Sequence, residues 1–482
     1  MDELRLKFEK IARDAMDKFH LPSLCVSAWA KGRSYRFSGG LADVERGLPA
    51  REDTLYCIGS STKAFITASL FILSDAGKLE LDAPIKAYLP WFRFPDAYWE
   101  KHLTVRDAMC HRSGMPRHDL AWLNTPERSS RELVEALGDL PLCCEPRTRM
   151  IYQNHMFILL TLLLQQAAGE NWTEFVRKNI LAPLGMSNTF FYGDEINDES
   201  PAKARPYVWT GDKTVRVPFN YMKSMIGAGT VYSTTEDMLK WLRAHLTCSG
   251  LSLSPASFAQ MHAPQNIIRP GDMSEFSHEL IRHTAYGFGW FVEETRGRCI
   301  VHHGGSVDGF KSQQLFLPEE DTAISVLTNR NGTQACNAIG YALADLFAGA
   351  SPIDWNSPYL AEESEIAQVA EKRVRERESA LGIAPSAFAD LRPLVGIYWH
   401  PGYGEIRVSE AGNEAYLHFI GAEFKMKALE NGQWIVAEPA LGVVILLEFI
   451  KEGGKYTRVK ADIEDLVPYI PVPEIEFVRR TP

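Results

Sequence analysis

Ser60-Ser61-Thr62-Lys63 runs without a break into Ala64-Phe65-Ile66-Thr67-Ala68-Ser69-Leu70-Phe71-Ile72-Leu73, and this stretch decides the reading of the chain. A lysine at the head of so apolar a segment does not belong on a water-facing surface. If the segment is a helix, residues three apart share a face, so the Ser60 hydroxyl and the Lys63 amine meet in its first turn. The helix N-terminus adds unpaired N–H groups and the positive end of the dipole, both suited to an oxyanion. A serine beside an amine in that setting is an activated nucleophile. The four-residue spacing recurs at Ser200-Pro201-Ala202-Lys203, inside a polar run at 193–206 that reads as a loop. Context separates the two, because only Ser60 follows a strand-like Thr54-Leu55-Tyr56-Cys57-Ile58 and opens an apolar helix. Taken alone, Ser60 is also an ordinary helix cap.

Two further clusters carry chemistry. Tyr152-Gln153-Asn154 follows Glu145-Pro146-Arg147-Thr148-Arg149 and precedes an apolar helix at 156–164. His303-Gly304-Gly305-Ser306 lies between the strand-like Cys299-Ile300-Val301 and the run 310–317. Singly, each has a plain structural alternative: Tyr152 as an aromatic at the start of a helix, Asn154 as a cap, His303 as a strand-end residue beside His302. The His302-His303 pair, with His111 and His118, raises the question of metal. No His-Glu-x-x-His or paired Cys-x-x-Cys spacing accompanies them, so neither metal nor organic cofactor is expected.

In this order, Ser-x-x-Lys, Tyr-x-Asn and His-x-Gly resemble the serine hydrolase family that holds class C β-lactamases, D-alanyl-D-alanine carboxypeptidases, D-aminopeptidases and related esterases, the penicillin-binding-protein-like enzymes. Cys110-His111-Arg112-Ser113-Gly114-Met115-Pro116, Gly227-Ala228-Gly229 through Ser233 to Asp237, and Tyr286-Gly287-Phe288-Gly289-Trp290 extend the resemblance over about 10–350. It implies Ser60 as the acylated nucleophile, with Lys63 sharing its proton with Tyr152, which deprotonates Ser60 and then the deacylating water. Asn154 would hold Lys63 and bind the substrate's acyl side, and the backbone N–H groups of Ser60 and Ser306 would form the oxyanion hole. His303, with Gly304 and Gly305, would bind substrate on a strand; a His here, where β-lactamases carry Lys-Thr-Gly, argues against a dedicated β-lactamase. The chain departs from the family where Pro146 is followed by Arg147-Thr148-Arg149 rather than glycine. Those arginines either select an acidic substrate or form a solvated turn, and the turn is favoured.

The 482 residues, 45% hydrophobic, suffice for two or three domains. A net charge of −10 argues against nucleic acid as a partner. The first ten residues alternate charge where an export signal needs an apolar core, the longest apolar run is too short for a bilayer, and the eight cysteines lack a disulfide-like spacing. A cytoplasmic protein acting on a small molecule or peptide is expected, with no membrane partner, and compatible with a homo-oligomer.

Periodicity gives an α/β (α+β) organisation. An amphipathic helix at 2–19 and a hairpin at 24–30 and 35–40 open the chain; strands at 286–294, 298–303, 309–317 and 322–328 and a helix at 333–348 close the catalytic region. Between them 80–220 is mainly helical and loop-rich, matching the family's helical subdomain beside an antiparallel sheet. A linker with a charged helix is expected at 351–385. Six short β-like runs from 405 to 461 then suggest a small antiparallel barrel at 386–482, lipocalin-like in the family resemblance. The reading is a serine acyl hydrolase domain at 1–350 working through an acyl-enzyme on Ser60. Ester, amide, peptide and thioester substrates share one tetrahedral intermediate. Acyl transfer, peptide cyclisation and a non-catalytic penicillin-binding sensor therefore remain as alternatives.

Overall fold

The computed structural model describes residues 3–480 except 192–194, 198–199, 201, 220–223, 270–271, 273–279, 384–390, 439–442 and 465–471. Nine strands form one antiparallel sheet in the order Leu48–Pro49, Arg33–Asp43, Ser23–Ala30, Thr322–Thr328, Phe310–Leu317, Arg298–Val307, Phe291–Thr295, Ile281–Tyr286, Asn266–Ile267. The sheet thus joins both ends of the catalytic region, with Val326 opposite Val26 on one side and Gln313 on the other. One face carries the helices Glu3–Lys18 and Ala335–Ala348, whose Phe8, Ala12, Ile339 and Leu343 share a core with Val26 and Ile324. The other face is covered by Thr235–Thr247 and by the helix Lys63–Asp75.

Lys63–Asp75 contains no glycine or proline, and its residues from Lys63 to Leu73 are all buried. It stops where Gly77 takes φ +70. There the Gly77 and Lys78 N–H groups cap the Ser74 and Leu73 carbonyls at 2.9 Å each. The strand expected at 286–294 is instead a hairpin: Tyr286 pairs with Phe291, and Gly287 N–H donates to the Trp290 carbonyl at 2.7 Å. Gly289 turns it with φ +78 and lies so close to the helix Lys63–Asp75 that a Cβ there would sit 2.8 Å from Ala64 Cα. Thr67 Oγ1 donates to the Phe288 carbonyl at 2.9 Å and fastens the turn to that helix.

The region beside the sheet is helical, as expected, with Asn154–Ala168 at its centre and short helices at Val105–Met109, Asp119–Leu123 and Ser130–Glu135 around it. Beyond the helix Asn356–Leu381, eight strands from Gly396–His400 to Ile475–Arg479 close into an antiparallel barrel. The six anticipated runs are six of its strands. The first and last, which close it through Tyr398 opposite Arg479, were not anticipated. Alternate burial along Gly404–Ala411 and Ala422–Ala428 fills the barrel with Ile406, Val408, Phe424 and Met426. Among the described residues no helix is long and apolar enough to cross a membrane.

Candidate active site

Ser60 stands in a tight 3-10 turn, Gly59–Thr62, that leads directly into Lys63–Asp75. Gly59 takes φ +53, and a Cβ on it would lie 2.9 Å from the Ser306 nitrogen. Gly305 is held as tightly, since a Cβ there would fall 1.9 Å from the Ile58 carbonyl oxygen. Ser61 Oγ donates to the His303 carbonyl at 3.0 Å, and Ser312 Oγ donates to the Ile58 carbonyl at 2.8 Å. The turn bearing Ser60 is therefore stitched to the strand Arg298–Val307 at the level of Ser306. Two glycines permit that approach, and it brings the Ser60 turn against the Ser306 N–H. The neighbouring strand Phe291–Thr295 pairs with this strand only as far as His302, so among the described strands none covers residues 303–307 on that side.

Lys63 is fully buried, and its Nζ lies 3.1 Å from Ser60 Oγ, 2.9 Å from Asn154 Oδ1 and 2.8 Å from the Ala228 carbonyl. Burial lowers its pKa well below the ordinary lysine value, Arg117 adds to the fall, and Asp119 opposes it. The partners fix how a neutral amine would sit. The Asn154 oxygen and the Ala228 carbonyl only accept, so they take its two N–H groups and leave the lone pair for the Ser60 O–H. Asn154 is turned this way because its Nδ2 donates to Asp119 Oδ1 at 3.2 Å.

Tyr152 packs with its ring 5.0 Å from Lys63 Nζ and 4.3 Å, centroid to centroid, from the His111 ring. Its hydroxyl is buried on the side of Ser60. Burial raises its pKa above the ordinary tyrosine value, Ser60 and Arg117 pull it down, and Asp119 pushes it up. At rest Tyr152 is a phenol. His303 is neutral, with burial lowering its pKa to about 3. Its Nδ1 donates to the Gly304 carbonyl at 2.6 Å, which leaves Nε2 to accept from the Tyr286 hydroxyl at 3.1 Å. The side chain is thus fixed beside Tyr152, at 6.2 Å between ring centroids, rather than standing open in the cleft.

The structure brings Ser60, Lys63, Tyr152, Asn154, His303, Gly304, Gly305 and Ser306 to one place. It adds Arg117 and Asp119, which the motifs did not single out. Arg117, 22% exposed, pairs with buried Asp119 at 2.5 Å and lies 5.4 Å from the Tyr152 ring. His111 accepts from the Gln153 N–H at 3.1 Å and so braces the Tyr152 segment. Arg147 and Arg149 pair with buried carboxylates, Asp107 at 2.8 Å and Asp272 at 2.7 Å. Lys203 of the second Ser-x-x-Lys is buried beneath the rings of Phe219 and Tyr232; Pro201 lies outside the described residues. His118 does not join His302 and His303, and among the described residues no cluster of three or more His, Cys, Asp or Glu could hold a metal ion.

A serine on a helix N-terminus, a buried amine three residues on and, opposite, a strand end left unpaired on one side are the parts a serine hydrolase needs. The chain belongs to the Beta-lactamase family, which matches residues 8–348. It is 27% identical over 432 residues to the unguisins hydrolase ungD' of Aspergillus campestris, covering 84% of this chain and 78% of that protein. Its fold is similar to that of the octameric penicillin-binding protein homologue from Pyrococcus abyssi, with TM-score 0.63, 20% identity, and 98% and 99% of the two chains covered. It is also similar to that of the D-amino acid amidase from Ochrobactrum anthropi SV3, with TM-score 0.59, 21% identity, and 72% and 98% covered.

Proposed function

We propose that this serine hydrolase forms a covalent acyl-enzyme on Ser60 and cleaves an amide, peptide or ester bond in a small molecule or peptide, D-amino-acid derivatives included. The observation that carries the proposal is the Lys63 amine 3.1 Å from Ser60 Oγ, with its other two contacts on pure acceptors. The names of an amidase and a peptide-natural-product hydrolase among its relatives support an amide or peptide substrate.

On this reading neutral Lys63 takes the Ser60 proton as Oγ attacks the carbonyl carbon, and the N–H groups of Ser60 and Ser306 hold the oxyanion. Tyr152, a phenol at rest, gives its proton to the leaving group and becomes a phenolate beside the Lys63 ammonium. That phenolate takes a proton from water as the water attacks the acyl-enzyme. Lys63 returns its proton to Ser60 Oγ when the acid departs, and the cycle closes with both groups restored. This order gives the first deprotonation to Lys63 rather than to Tyr152, because Lys63 has its amine 3.1 Å from Ser60 Oγ and burial favours the phenol. We retain the cytoplasm as its compartment on the cysteine pattern, and the octameric relative supports a test for self-association.

The deciding experiment is a panel of D- and L-amino-acid amides, short peptides and aryl esters, with products read by mass spectrometry in the presence of amine and alcohol acceptors. Turnover of an amide or ester to the free acid is expected. Products that carry only the added acceptor would recast the protein as a transferase, and no turnover of any class would remove the catalytic reading.

A further inference from the structure

Among the described residues the C-terminal barrel meets the catalytic region at the turn His400-Pro401-Gly402-Tyr403-Gly404, with the Glu405 carbonyl and the Ile420 N–H also bonded to Asn124 beside it. His400 Nδ1 shapes it by accepting from the N–H groups of Gly402 and Tyr403 at 3.0 and 3.2 Å. Its two glycines let it fit. A Cβ on Gly402 would lie 2.3 Å from Leu140 Cδ2, and one on Gly404, at φ +77, would lie 2.5 Å from Thr125 Cγ2. Arg128 donates to the Gly402 and Pro401 carbonyls at 3.0 and 2.8 Å, and Asn124 Nδ2 donates to the Tyr403 carbonyl at 2.8 Å.

At the centre of this contact, fully buried Tyr403 meets His118, its hydroxyl 2.8 Å from Nδ1. His118 Nε2 faces the Pro141 carbonyl at 3.0 Å, an acceptor only, so Nε2 donates, and a neutral ring then accepts the Tyr403 O–H at Nδ1. Burial keeps that ring neutral, with its pKa lowered to about 3. The backbone of His118 is left-handed, φ +49, a conformation that is costly for a non-glycine residue. On either side stand Arg117, over the Tyr152 ring, and Asp119, which orients Asn154 toward Lys63. Lys63 itself is faced by Ser60, Tyr152, Asn154, Arg117, Asp119, His111 and His303.

We infer that Tyr403 of the barrel is a positioning residue for catalysis: by holding His118 in its strained conformation it sets Arg117 and Asp119, and through them the amine of Lys63. The inference rests on the proposed role of Lys63. It makes the barrel part of the working enzyme, although no barrel residue touches Ser60 in the contacts described above.

The test uses the full chain and an activated ester that the wild-type protein turns over. Tyr403→Phe keeps the ring and removes the hydroxyl; Tyr416→Phe, which removes an exposed barrel hydroxyl bound to Glu414, is the control. Loss of a buried donor corresponds to roughly tenfold in rate. We expect Tyr403→Phe to lower kcat by about that factor with KM within about twofold. The acid limb of its pH–rate profile should move to higher pH as Arg117 loosens from Lys63, and Tyr416→Phe should match wild type. Should Tyr403→Phe unfold at the assay temperature, Asn124→Ala, which loosens the same turn, should show the same kcat loss and pH displacement. Unchanged kcat and pH profile in a folded Tyr403→Phe or Asn124→Ala, with Ser60→Ala inactive, would overturn this inference alone. Full turnover by Ser60→Ala would remove the proposed function and this inference with it.

Discussion

Lys63 is the residue at which charge and proton transfer separate most clearly. Its ammonium form would satisfy three acceptors, whereas its neutral form satisfies two and leaves a base for Ser60. Lys63→Arg should therefore lose activity nearly as fully as Lys63→Ala, by about 10²–10⁴-fold in kcat/KM, because guanidinium keeps its proton. Steady-state assay of both variants checks this, and near-native kcat in Lys63→Arg would make Lys63 an electrostatic anchor. Ser60, Lys63, Tyr152 and Asn154 were legible because each motif is local: a helical turn brings the serine and lysine together, and one short segment supplies the tyrosine and asparagine. Arg117, Asp119 and the Ala228 carbonyl were not. Arg117 and Asp119 reach the site from a loop that only tertiary packing brings near, and a backbone carbonyl has no residue type to read. Cys110-His111 through Pro116 marked that loop without showing what it holds. The ring of His111 braces Tyr152, and Gln153 Nε2 donates to the Pro116 carbonyl at 2.7 Å.

Among the elements, the contact between the Gly59–Thr62 turn and the strand Arg298–Val307 carries the site. It depends on the absence of side chains at Gly59 and Gly305, because any Cβ on Gly305 meets the Ile58 carbonyl. Gly305→Ala should push the strand from the turn and withdraw the Ser306 N–H from the oxyanion. A loss of about 10²–10³-fold in kcat is expected, with a stability cost of about 1–3 kcal/mol for the overpacking. Kinetics beside a thermal melt separates the two effects; a variant that loses stability yet keeps kcat would show that Ser306 does not bind the oxyanion. Strand alternation made most of the sheet and six of the eight barrel strands readable. The hairpin at Tyr286 and Phe291 escaped because apolar residues continue through the glycine turn, so one long strand and two short ones show the same pattern. The closing strands Gly396–His400 and Ile475–Arg479 are five residues each and gain definition only by pairing with each other.

At the scale of the whole molecule, buried neutral histidines set the acid limit of stability. Burial lowers His118, His262 and His303 to about 3 and His155 and His400 to about 4, and takes His245 well below its ordinary value. The unfolded chain takes up these protons near pH ~6.5 and the folded chain does not. Their stabilising effect is therefore complete above pH ~6.5 and is lost as pH falls from there toward the folded values. Glu362, raised to about 7 by burial, acts in the opposite sense but is one group against these six and His111, which burial also takes well below its ordinary value. The melting temperature should fall by on the order of 5–10 °C between pH 7.5 and pH 5. A melt that is flat across that interval would show that these rings are protonated or exposed in the folded protein.

The central claim is an acyl-enzyme on Ser60, and time-resolved intact-mass analysis during turnover of an activated ester tests it most directly. The wild-type protein should gain the mass of one acyl group within the first turnover, peptide mapping should place it on Ser60, and Ser60→Ala should gain none. An acyl adduct that persists in Ser60→Ala, or turnover by that variant at the wild-type rate, would contradict the account.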